Sequence, residues 1–179
     1  MRILIFSDIH GKSDSALFLK QKAEELNADY IFLLGDNLYH GPRNDVPEGY
    51  DPKKVAEILN SLSDRIIAVR GNCEAEVDQM MLNFPCLETY ALFAADGKRF
   101  FLTHGHVYDK ENRIKSGYEI FLSGHTHLRV LEKEEGIVFV NPGSISLPKG
   151  DGIRSWALYE KNQISIYSIT GALLSQMTV

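Results

Sequence analysis

Cysteine and long apolar runs are both scarce in this sequence, and their scarcity excludes several classes of protein. Only two cysteines occur among the 179 residues, Cys73 and Cys86, and their number and spacing fit neither a disulfide framework nor a CxxC zinc site. The apolar run near the N-terminus covers only residues 3–6. The core of a signal peptide needs about 7–15 apolar residues and a membrane span about 20. We therefore expect a cytoplasmic protein without a membrane segment.

Positive charge is in short supply as well. The chain has 19 Lys and Arg residues against 24 Asp and Glu, which gives a net charge of −5. Binding of a long nucleic acid would need clustered basic residues, so no such partner is expected. A small phosphate-bearing substrate is compatible with this balance, because a bound metal ion can supply positive charge locally. The length and the 44% hydrophobic content suit a single domain over residues 1–179.

Short apolar runs that stop abruptly at polar residues recur along the chain. The runs are RILIF before SDIHG, YIFLL before GDN, RIIAV before RGNCE, RFFL before THGH, EIFL before SGHTH and IVFV before NPGS. Continuous apolar runs of this length indicate strands that are buried on both faces. Polar residues at the ends of such strands are well placed to form a site, because the ends of parallel strands meet at one edge of a sheet.

The order of predicted elements indicates an α/β fold. Helical patterns over 14–26, capped by Ser13 or Asp14, and over 52–62, capped by Asp51, separate the first strands and predict parallel pairing. In the second half, strands follow one another at 87–93, 98–103, 119–122, 128–134, 136–140, 156–160 and 163–169. The dipeptides Asp96-Gly97 and Glu135-Gly136 suit hairpin turns. We expect two mixed β-sheets packed face to face, with helices outside.

Seven polar residues at the predicted strand ends form a candidate metal site. They are Asp8, His10, Asp36, Asn72, His104, His125 and His127. Carboxylate, amide and imidazole ligands without a thiolate suit Mn²⁺, Fe, Zn²⁺ or Ni²⁺. Seven ligands are too many for one ion that keeps an open position, so two divalent ions sharing one carboxylate are predicted. Paired ions are a known device for displacement at phosphorus.

The spacing within this set supports convergence on one cleft. Asp8 and His10 are two residues apart, and so are His125 and His127. In extended chain, residues at this spacing point to the same side. We therefore expect each pair to direct both side chains into the site.

These motifs, taken in order, resemble the calcineurin-like metallophosphoesterase family. The matching strings are DxH at Asp8 and His10, GD ending at Asp36, GN ending at Asn72, HG beginning at His104, and GHTH at 124–127. The stretches HGPRNDVPEGY, RGNCEAEVDQM and NPGSISLPKG narrow the resemblance to the small bacterial phosphodiesterases of that family. The resemblance covers nearly the whole chain and implies the family fold, a four-layer αββα sandwich.

The resemblance also implies a division of the ligands and a reaction. Asp8, His10 and His127 would hold one ion, whereas Asn72, His104 and His125 would hold the other, with Asp36 bridging the two. A hydroxide between the ions would attack the phosphorus of a small phosphodiester. Mn²⁺ is the expected metal, with Zn²⁺, Ni²⁺ and Fe as alternatives. A homodimer is expected by analogy alone.

Cys73 departs from the general family pattern, in which a histidine follows the asparagine. That histidine contacts phosphate in the family and is the candidate proton donor to the leaving group, so we place Cys73 with Asp36 and Asn72 among the catalytic candidates. A thiol has a reference pKa of about 8.5 and is a weaker acid than imidazolium. We expect a preference for leaving groups that need little protonation, so that aryl diesters are better substrates than alkyl diesters. The alternative is that Cys73 is a small buried filler.

Four further residues are candidates for contact with substrate. Arg43 and His40 lie in a loop that follows the Asp36 strand, and Arg43 suits a phosphate oxygen. The alternative is an ordinary loop with Gly41 and Pro42 as turn residues. Asn37 adjoins Asp36. His106 lies two residues beyond His104, where it would stand behind the ligands or beside the phosphate.

Two other functions stay open at the level of sequence. The same fold serves as a non-catalytic, protein-interaction scaffold in the retromer sorting coat, where the ligand set is incomplete. All seven ligand positions carry competent residues here, which favours catalysis. A single-metal phosphomonoesterase is the second alternative, and counting metal ions per chain distinguishes it.

Overall fold

The computed structural model describes the whole chain, residues 1–179, as three α-helices and eleven β-strands. The helices are α1 (Ser13–Glu25), α2 (Pro52–Asn60) and α3 (Glu76–Met81), and a single 3₁₀ turn covers Ser63–Arg65. The strands are β1 (Arg2–Phe6), β2 (Tyr30–Leu33), β3 (Ile66–Ala68), β4 (Tyr90–Ala95), β5 (Lys98–Thr103), β6 (Ile120–Leu122), β7 (Arg129–Glu134), β8 (Ile137–Pro142), β9 (Ser155–Glu160), β10 (Gln163–Ser168) and β11 (Leu173–Thr178).

The strands form two mixed sheets, which confirms the predicted fold class. The first sheet has the order β11-β10-β9-β1-β2-β3, and the second has the order β4-β5-β6-β8-β7. Pairing is parallel where β1 meets β2 and β2 meets β3, and again where β6 lies between β5 and β8. The parallel strands therefore occupy adjacent positions in each sheet, and their carboxyl ends open at one edge.

Burial on both faces explains the continuous apolar strands. In β1, Leu4 and Phe6 pack against the helices, whereas Ile3 and Ile5 pack against the second sheet, and all four are fully buried. A strand that contributes to two cores must be apolar at every position. This is why β1 lacks the alternating pattern of a strand with one solvated face.

The two outer layers differ in kind. The helices α1 and α2 contribute buried side chains to the core on the outer face of the first sheet. The outer face of the second sheet carries an aromatic cluster that includes Phe101, Tyr118, Phe121 and Phe139, and segment 104–119, which contains no helix, supplies Tyr118 to it. The sandwich therefore has helices on one side, whereas a long loop stands on the other side in place of the second helical layer of the expected αββα arrangement. None of the three helices has the length and apolar character needed to cross a bilayer.

The cap of α2 and both hairpin turns match the sequence-based predictions, whereas the start of α1 and the last strand differ from them. Asp51 caps α2 as expected, because its side chain accepts a hydrogen bond from the N–H of Lys54 at 3.0 Å. Helix α1 instead begins at Ser13 after Lys12, which offers no side-chain cap. Both predicted hairpin turns are present at 96–97 and 135–136. Strand β11 was missed, because LLSQMT has only half-buried and exposed positions and thus no buried apolar run.

Candidate metal centre

The polar residues that follow the parallel strands converge at one edge of the two sheets. Asp8 follows β1, Asp36 follows β2, Asn72 follows β3, and His104 follows β5. The β6–β7 connection supplies the histidines of the GHTH segment. The Asp8 N–H donates to Gly35 O, and Gly124 N–H donates to His104 O, so neighbouring strand ends are held together by backbone hydrogen bonds. Sites in open α/β sheets gather at such ends for this reason.

One group of possible ligand atoms consists of Asp8, His10 and His127. Asp8 Oδ1 lies 3.2 Å from His127 Nε2 and 3.7 Å from His10 Nε2. The two imidazole Nε2 atoms are themselves 3.2 Å apart. Asp8 Oδ1 is fully buried and has no hydrogen-bond donor. A buried carboxylate oxygen without a donor needs a compensating positive charge, which a metal ion or a proton on an adjacent imidazole can supply.

The other ring nitrogen of each histidine explains why its Nε2 atom is free to bind a metal. The Nδ1 atoms of His10, His104 and His127 lie 3.0, 2.6 and 2.5 Å from backbone carbonyl oxygens, which can only accept hydrogen bonds. Nδ1 must therefore carry the proton, and in the neutral ring Nε2 presents a lone pair to the cluster. This arrangement is typical of metal-ligating histidines, whose second nitrogen fixes the tautomer.

A second group is built around Asp36 and His104. Asp36 Oδ2 lies 3.5 Å from His104 Nε2 and 3.7 Å from His10 Nε2, so it stands between the two groups. The side-chain oxygen of Asn72 is 3.2 Å from His104 Nε2. The His125 ring is 5.0 Å from the His104 ring, centroid to centroid. Asp36 is thus the carboxylate placed to be shared.

These donors fit two divalent cations. Three donor atoms face each other in the first group, and a carboxylate oxygen, an imidazole nitrogen and an amide oxygen approach each other in the second. Burial alone would lower the pKa of His104, but the adjacent Asp36 carboxylate raises it to about 9. A proton can therefore occupy this position, and a bound cation would displace it. Burial opposes ionisation of Asp36, but its bond with His104 holds the Asp36 pKa well below the usual range.

The backbone delivers the ligand pairs differently from the sequence-based expectation. Asp8 and His10 have φ values of 58° and 49°, and His125 and His127 have values of 66° and 59°. These are left-handed conformations, not extended chain, and they are uncommon for residues other than glycine. The expectation that each pair lies in extended chain, with both side chains on one side, was therefore wrong. Side chains of each pair reach the site because the chain turns sharply after the strand, at a conformational cost of the kind found at functional sites.

Glu74 holds the Asp36 and Asn72 loops together from beneath. Its carboxylate accepts hydrogen bonds from the N–H groups of Asp36 at 2.9 Å, Asn37 at 2.6 Å and Gly71 at 2.6 Å. The Asn37 side-chain amide donates to it as well, at 3.0 Å. Burial and then the negative charge of Asp36 raise the pKa of Glu74 to about 7. Sequence reasoning missed this residue, although its position directly after Cys73 in GNCE was a signal.

Cys73 lies at the wall of the site and is half-buried. Its N–H donates to Asp36 Oδ1 at 2.8 Å, and its sulfur accepts from the Asn72 side-chain amide at 3.2 Å. Burial, followed by the negative charge of Asp36, raises the pKa of the Cys73 thiol far above its usual value. The group therefore faces the site as a neutral thiol.

A cleft of about 540 Å³ opens over the ligands. Its lining includes five of the seven predicted metal ligands, together with Arg43 and Cys73. Those five are His10, Asp36, Asn72, His125 and His127. Arg43 is exposed at the rim. Thr126, Leu128 and Lys149 line the same cleft and were not singled out from sequence, because nothing in their local pattern distinguishes them from ordinary loop residues.

Three predicted substrate contacts lie away from this lining. Asn37 is buried and bonded to Glu74, as described above. The ring of His40 packs edge-on against Tyr39 and Tyr50, with centroids 4.6 and 5.1 Å away. His106 is exposed, and its ring centroid lies 5.3 Å from that of His104.

Comparison with known proteins agrees with this geometry. Residues 1–163 match the model of the calcineurin-like phosphoesterase superfamily domain. The chain is 39% identical to the phosphodiesterase YfcE of Escherichia coli K12 over 181 aligned residues, which cover 100% of this chain and 98% of YfcE. It is 30% identical to phosphodiesterase MJ0936 of Methanocaldococcus jannaschii, over 79% of this chain and 72% of the relative.

Solved structures give the same result for the fold. The structure of E. coli YfcE, described as a phosphoesterase, superposes with a TM-score of 0.96 at 38% identity and covers 99% of both chains. The vacuolar protein sorting 29 protein of Cryptosporidium parvum reaches a TM-score of 0.71 at 16% identity, over 99% of this chain and 98% of that one. The second likeness concerns the fold alone.

Proposed function

The chain belongs to the calcineurin-like phosphoesterase superfamily, and from that premise we propose that it is a metal-dependent phosphodiesterase acting on small phosphodiesters. Both relatives described above carry that activity in their names, and the chain aligns with YfcE from end to end. We propose that a single domain over residues 1–179 performs the reaction.

The observation that carries the proposal is the position of Asp36 between two groups of oxygen and imidazole donors. Its Oδ2 atom is within 3.7 Å of both His10 Nε2 and His104 Nε2. We assign one ion to Asp8, His10 and His127, and a second to Asn72, His104 and His125. Bound there, the ions would supply Lewis acidity and positive charge for hydrolysis at phosphorus.

The residues of the chain have distinct tasks in this scheme. Backbone carbonyls bonded to Nδ1 orient the imidazole rings of His10, His104 and His127. The Glu74 carboxylate holds the loop of Asp36 next to the loop of Gly71. Arg43, at the rim, is placed to bind a phosphate oxygen of the substrate. The Cys73 thiol contacts the leaving-group side, where it can donate only a weakly acidic proton. Segment 124–127, in the β6–β7 connection, supplies His125 and His127 to the lining of the cleft.

Hydrolysis of bis-p-nitrophenyl phosphate with added Mn²⁺ tests the proposal. We expect release of nitrophenolate by the wild type, loss of release in EDTA and recovery on adding Mn²⁺ back. Asp36→Asn keeps the shape of the side chain and removes the shared charge, so it should lower kcat by at least about a hundredfold. A wild-type protein that binds Mn²⁺ and releases no nitrophenolate would refute the proposal.

Two rival functions make different predictions in the same experiment. A scaffold protein, favoured by the fold shared with vacuolar protein sorting 29, would bind metal without turnover. A phosphomonoesterase would hydrolyse p-nitrophenyl phosphate in preference to the diester and would hold a single ion. The complete ligand set, with Asp36 shared, supports the diesterase.

Further parts of the proposal concern the setting of the enzyme. We propose Mn²⁺ as the metal, because carboxylate, amide and imidazole donors suit it, with Zn²⁺, Ni²⁺ and Fe as competitors. We also propose a cytoplasmic location and a homodimer. Metal analysis of the purified protein, fractionation of cells and size-exclusion chromatography with light scattering test these three points.

A further inference from the structure

The cleft contains a second basic side chain, Lys149, that the reaction at the metal centre does not use. Lys149 follows the turn after β8, in the segment SLPKG, and its side chain is exposed at the rim of the cleft. It forms no ion pair and no side-chain hydrogen bond with the protein, whereas Arg129, on the neighbouring β7, is paired with Asp151. Arg43 is likewise free at another part of the rim.

The backbone around Lys149 is fixed to the metal ligands. The Lys149 N–H donates to His127 O at 3.2 Å, and His127 Nδ1–H donates back to Leu147 O. Ser144 Oγ donates to Asp8 O at 2.9 Å and accepts from Leu147 N–H at 2.8 Å. The segment that bears Lys149 is therefore hydrogen-bonded to both ligands, Asp8 and His127.

The two cations stand beside different histidines. The Lys149 N–H is bonded to the His127 carbonyl, and Arg43 lines the same cleft as His125. Asp36 is the one carboxylate in the cleft lining, and it would be neutralised by the ions when they are bound. The rim is thus positive in a protein whose net charge is −5. Apolar Leu128, 47% exposed, lies next to Lys149 in the lining.

We propose that Lys149 forms an anion subsite, and that the preferred substrates are phosphodiesters whose non-reacting arm carries a second phosphate group. The inference rests on the proposed phosphodiesterase function and specifies its substrate class. The reacting phosphate binds over the metal ligands beside Arg43, and the second phosphate reaches Lys149. A cleft of about 540 Å³ has the size of sites that hold nucleotide-sized ligands.

Two esters with the same leaving group test the subsite directly. They are thymidine 5′-(p-nitrophenyl phosphate) and the same compound with an additional 3′-phosphate. The wild type should show a kcat/KM about three- to tenfold higher for the 3′-phosphorylated ester, which is the range for one partly screened charge-assisted contact. Lys149→Met should abolish this ratio without changing hydrolysis of the ester that lacks the 3′-phosphate. Lys149→Arg should retain the ratio, and Lys149→Glu should invert it.

Lys133→Met is the matched control, because Lys133 is an exposed lysine on β7 outside the cleft lining. It should keep the wild-type ratio. Raising the salt concentration from 0.1 M to 1 M shortens the screening length from about 10 Å to about 3 Å, so the ratio should fall towards one. A wild-type ratio of one, or a ratio unchanged in Lys149→Met, would overturn the proposal.

A binding measurement separates failure of the subsite from failure of the proposed function. Thymidine 5′-monophosphate and thymidine 3′,5′-bisphosphate are titrated into the Mn²⁺-loaded protein by calorimetry. Tighter binding of the bisphosphate that disappears in Lys149→Met supports the subsite even if neither ester is hydrolysed. Equal binding of both nucleotides refutes it, whatever the rate of turnover.

Discussion

The Nε2 atoms of His10 and His127 lie 3.2 Å apart, although each ring directs its Nδ1–H to a backbone carbonyl. Two neutral imidazoles in these tautomers present lone pairs to each other, with the Asp8 carboxylate oxygen also within 3.7 Å. Such a cluster is stable only with a proton or a cation inside it. The fold therefore stores an electrostatic cost that metal binding relieves.

Metal binding should accordingly stabilise the folded protein. At a free Mn²⁺ concentration one hundred times the dissociation constant, one site contributes about 2.7 kcal/mol to the free energy of unfolding. We expect the melting temperature measured by calorimetry to rise with added Mn²⁺ and to return to its original value in EDTA. A melting temperature that does not respond to Mn²⁺ would contradict the assignment of these residues as ligands.

Two ions per chain are expected, held by separable groups. His10→Ala removes a donor from one group, and His104→Ala removes a donor from the other, so each variant should retain about one ion. Elemental analysis after dialysis against Mn²⁺ counts them. His40→Ala is the control, because His40 is outside the cleft lining, and it should keep two. A wild type with one ion would favour the single-metal phosphomonoesterase.

Glu74→Gln should weaken metal binding without removing a ligand. The NH₂ group of glutamine would replace either Oε2, which accepts from the N–H groups of Asp36 and Gly71, or Oε1, which accepts from Asn37, so buried donors lose their acceptor in either orientation. We expect a loss of about 1–3 kcal/mol in stability and a ten- to hundredfold loss of Mn²⁺ affinity, by chemical denaturation and calorimetry respectively.

Glu76→Gln provides the comparison for Glu74, since Glu76 is an exposed residue two positions away. It should leave both quantities unchanged. If Glu74→Gln lowers stability but binds Mn²⁺ as tightly as the wild type, Glu74 supports the fold and does not position the ligands.

Gly124→Ala tests why a glycine precedes the His125–His127 pair. A Cβ atom at this position would overlap Ser7 Oγ and lie 2.9 Å from Ser7 Cβ and 3.0 Å from Asp8 Oδ2. We expect a loss of about 2–3 kcal/mol in stability, typical of overpacking, together with weaker Mn²⁺ binding because Asp8 must move. Gly136→Ala has open space around it and should lose stability only through its positive φ, with Mn²⁺ binding intact.

Cys73→His should broaden the range of leaving groups. The raised pKa of the Cys73 thiol makes it a poor proton donor, whereas imidazolium protonates a poor leaving group readily. Alkyl diesters should gain relative to aryl diesters, as measured by the ratio of kcat/KM for the two classes. Cys73→Ser, which keeps the size of the side chain, should leave the ratio near that of the wild type. An unchanged ratio in Cys73→His would place Cys73 away from the leaving group.

The sequence was enough to predict the two sheets and to select the ligand candidates. Apolar runs such as RILIF can be placed only where both faces are covered, and each run ends at the polar residues that build the site. Strand β11 escaped prediction because its side chains are largely exposed and its pairing with β10 depends on backbone hydrogen bonds. The long loop over the second sheet escaped for a similar reason, since aromatic packing and not periodicity holds it there.

By itself, the sequence determined which residue types stand at the strand ends, and this limits the site to oxygen and imidazole chemistry. The tertiary structure decided how these residues meet. The left-handed backbone at Asp8 and His127, the carbonyl partners that set each histidine tautomer, and the Glu74 bridge all depend on segments distant in sequence. Lys149 likewise joins the cleft only because its loop is bonded to His127. Local pattern cannot encode such contacts, because they form only when the two sheets pack together.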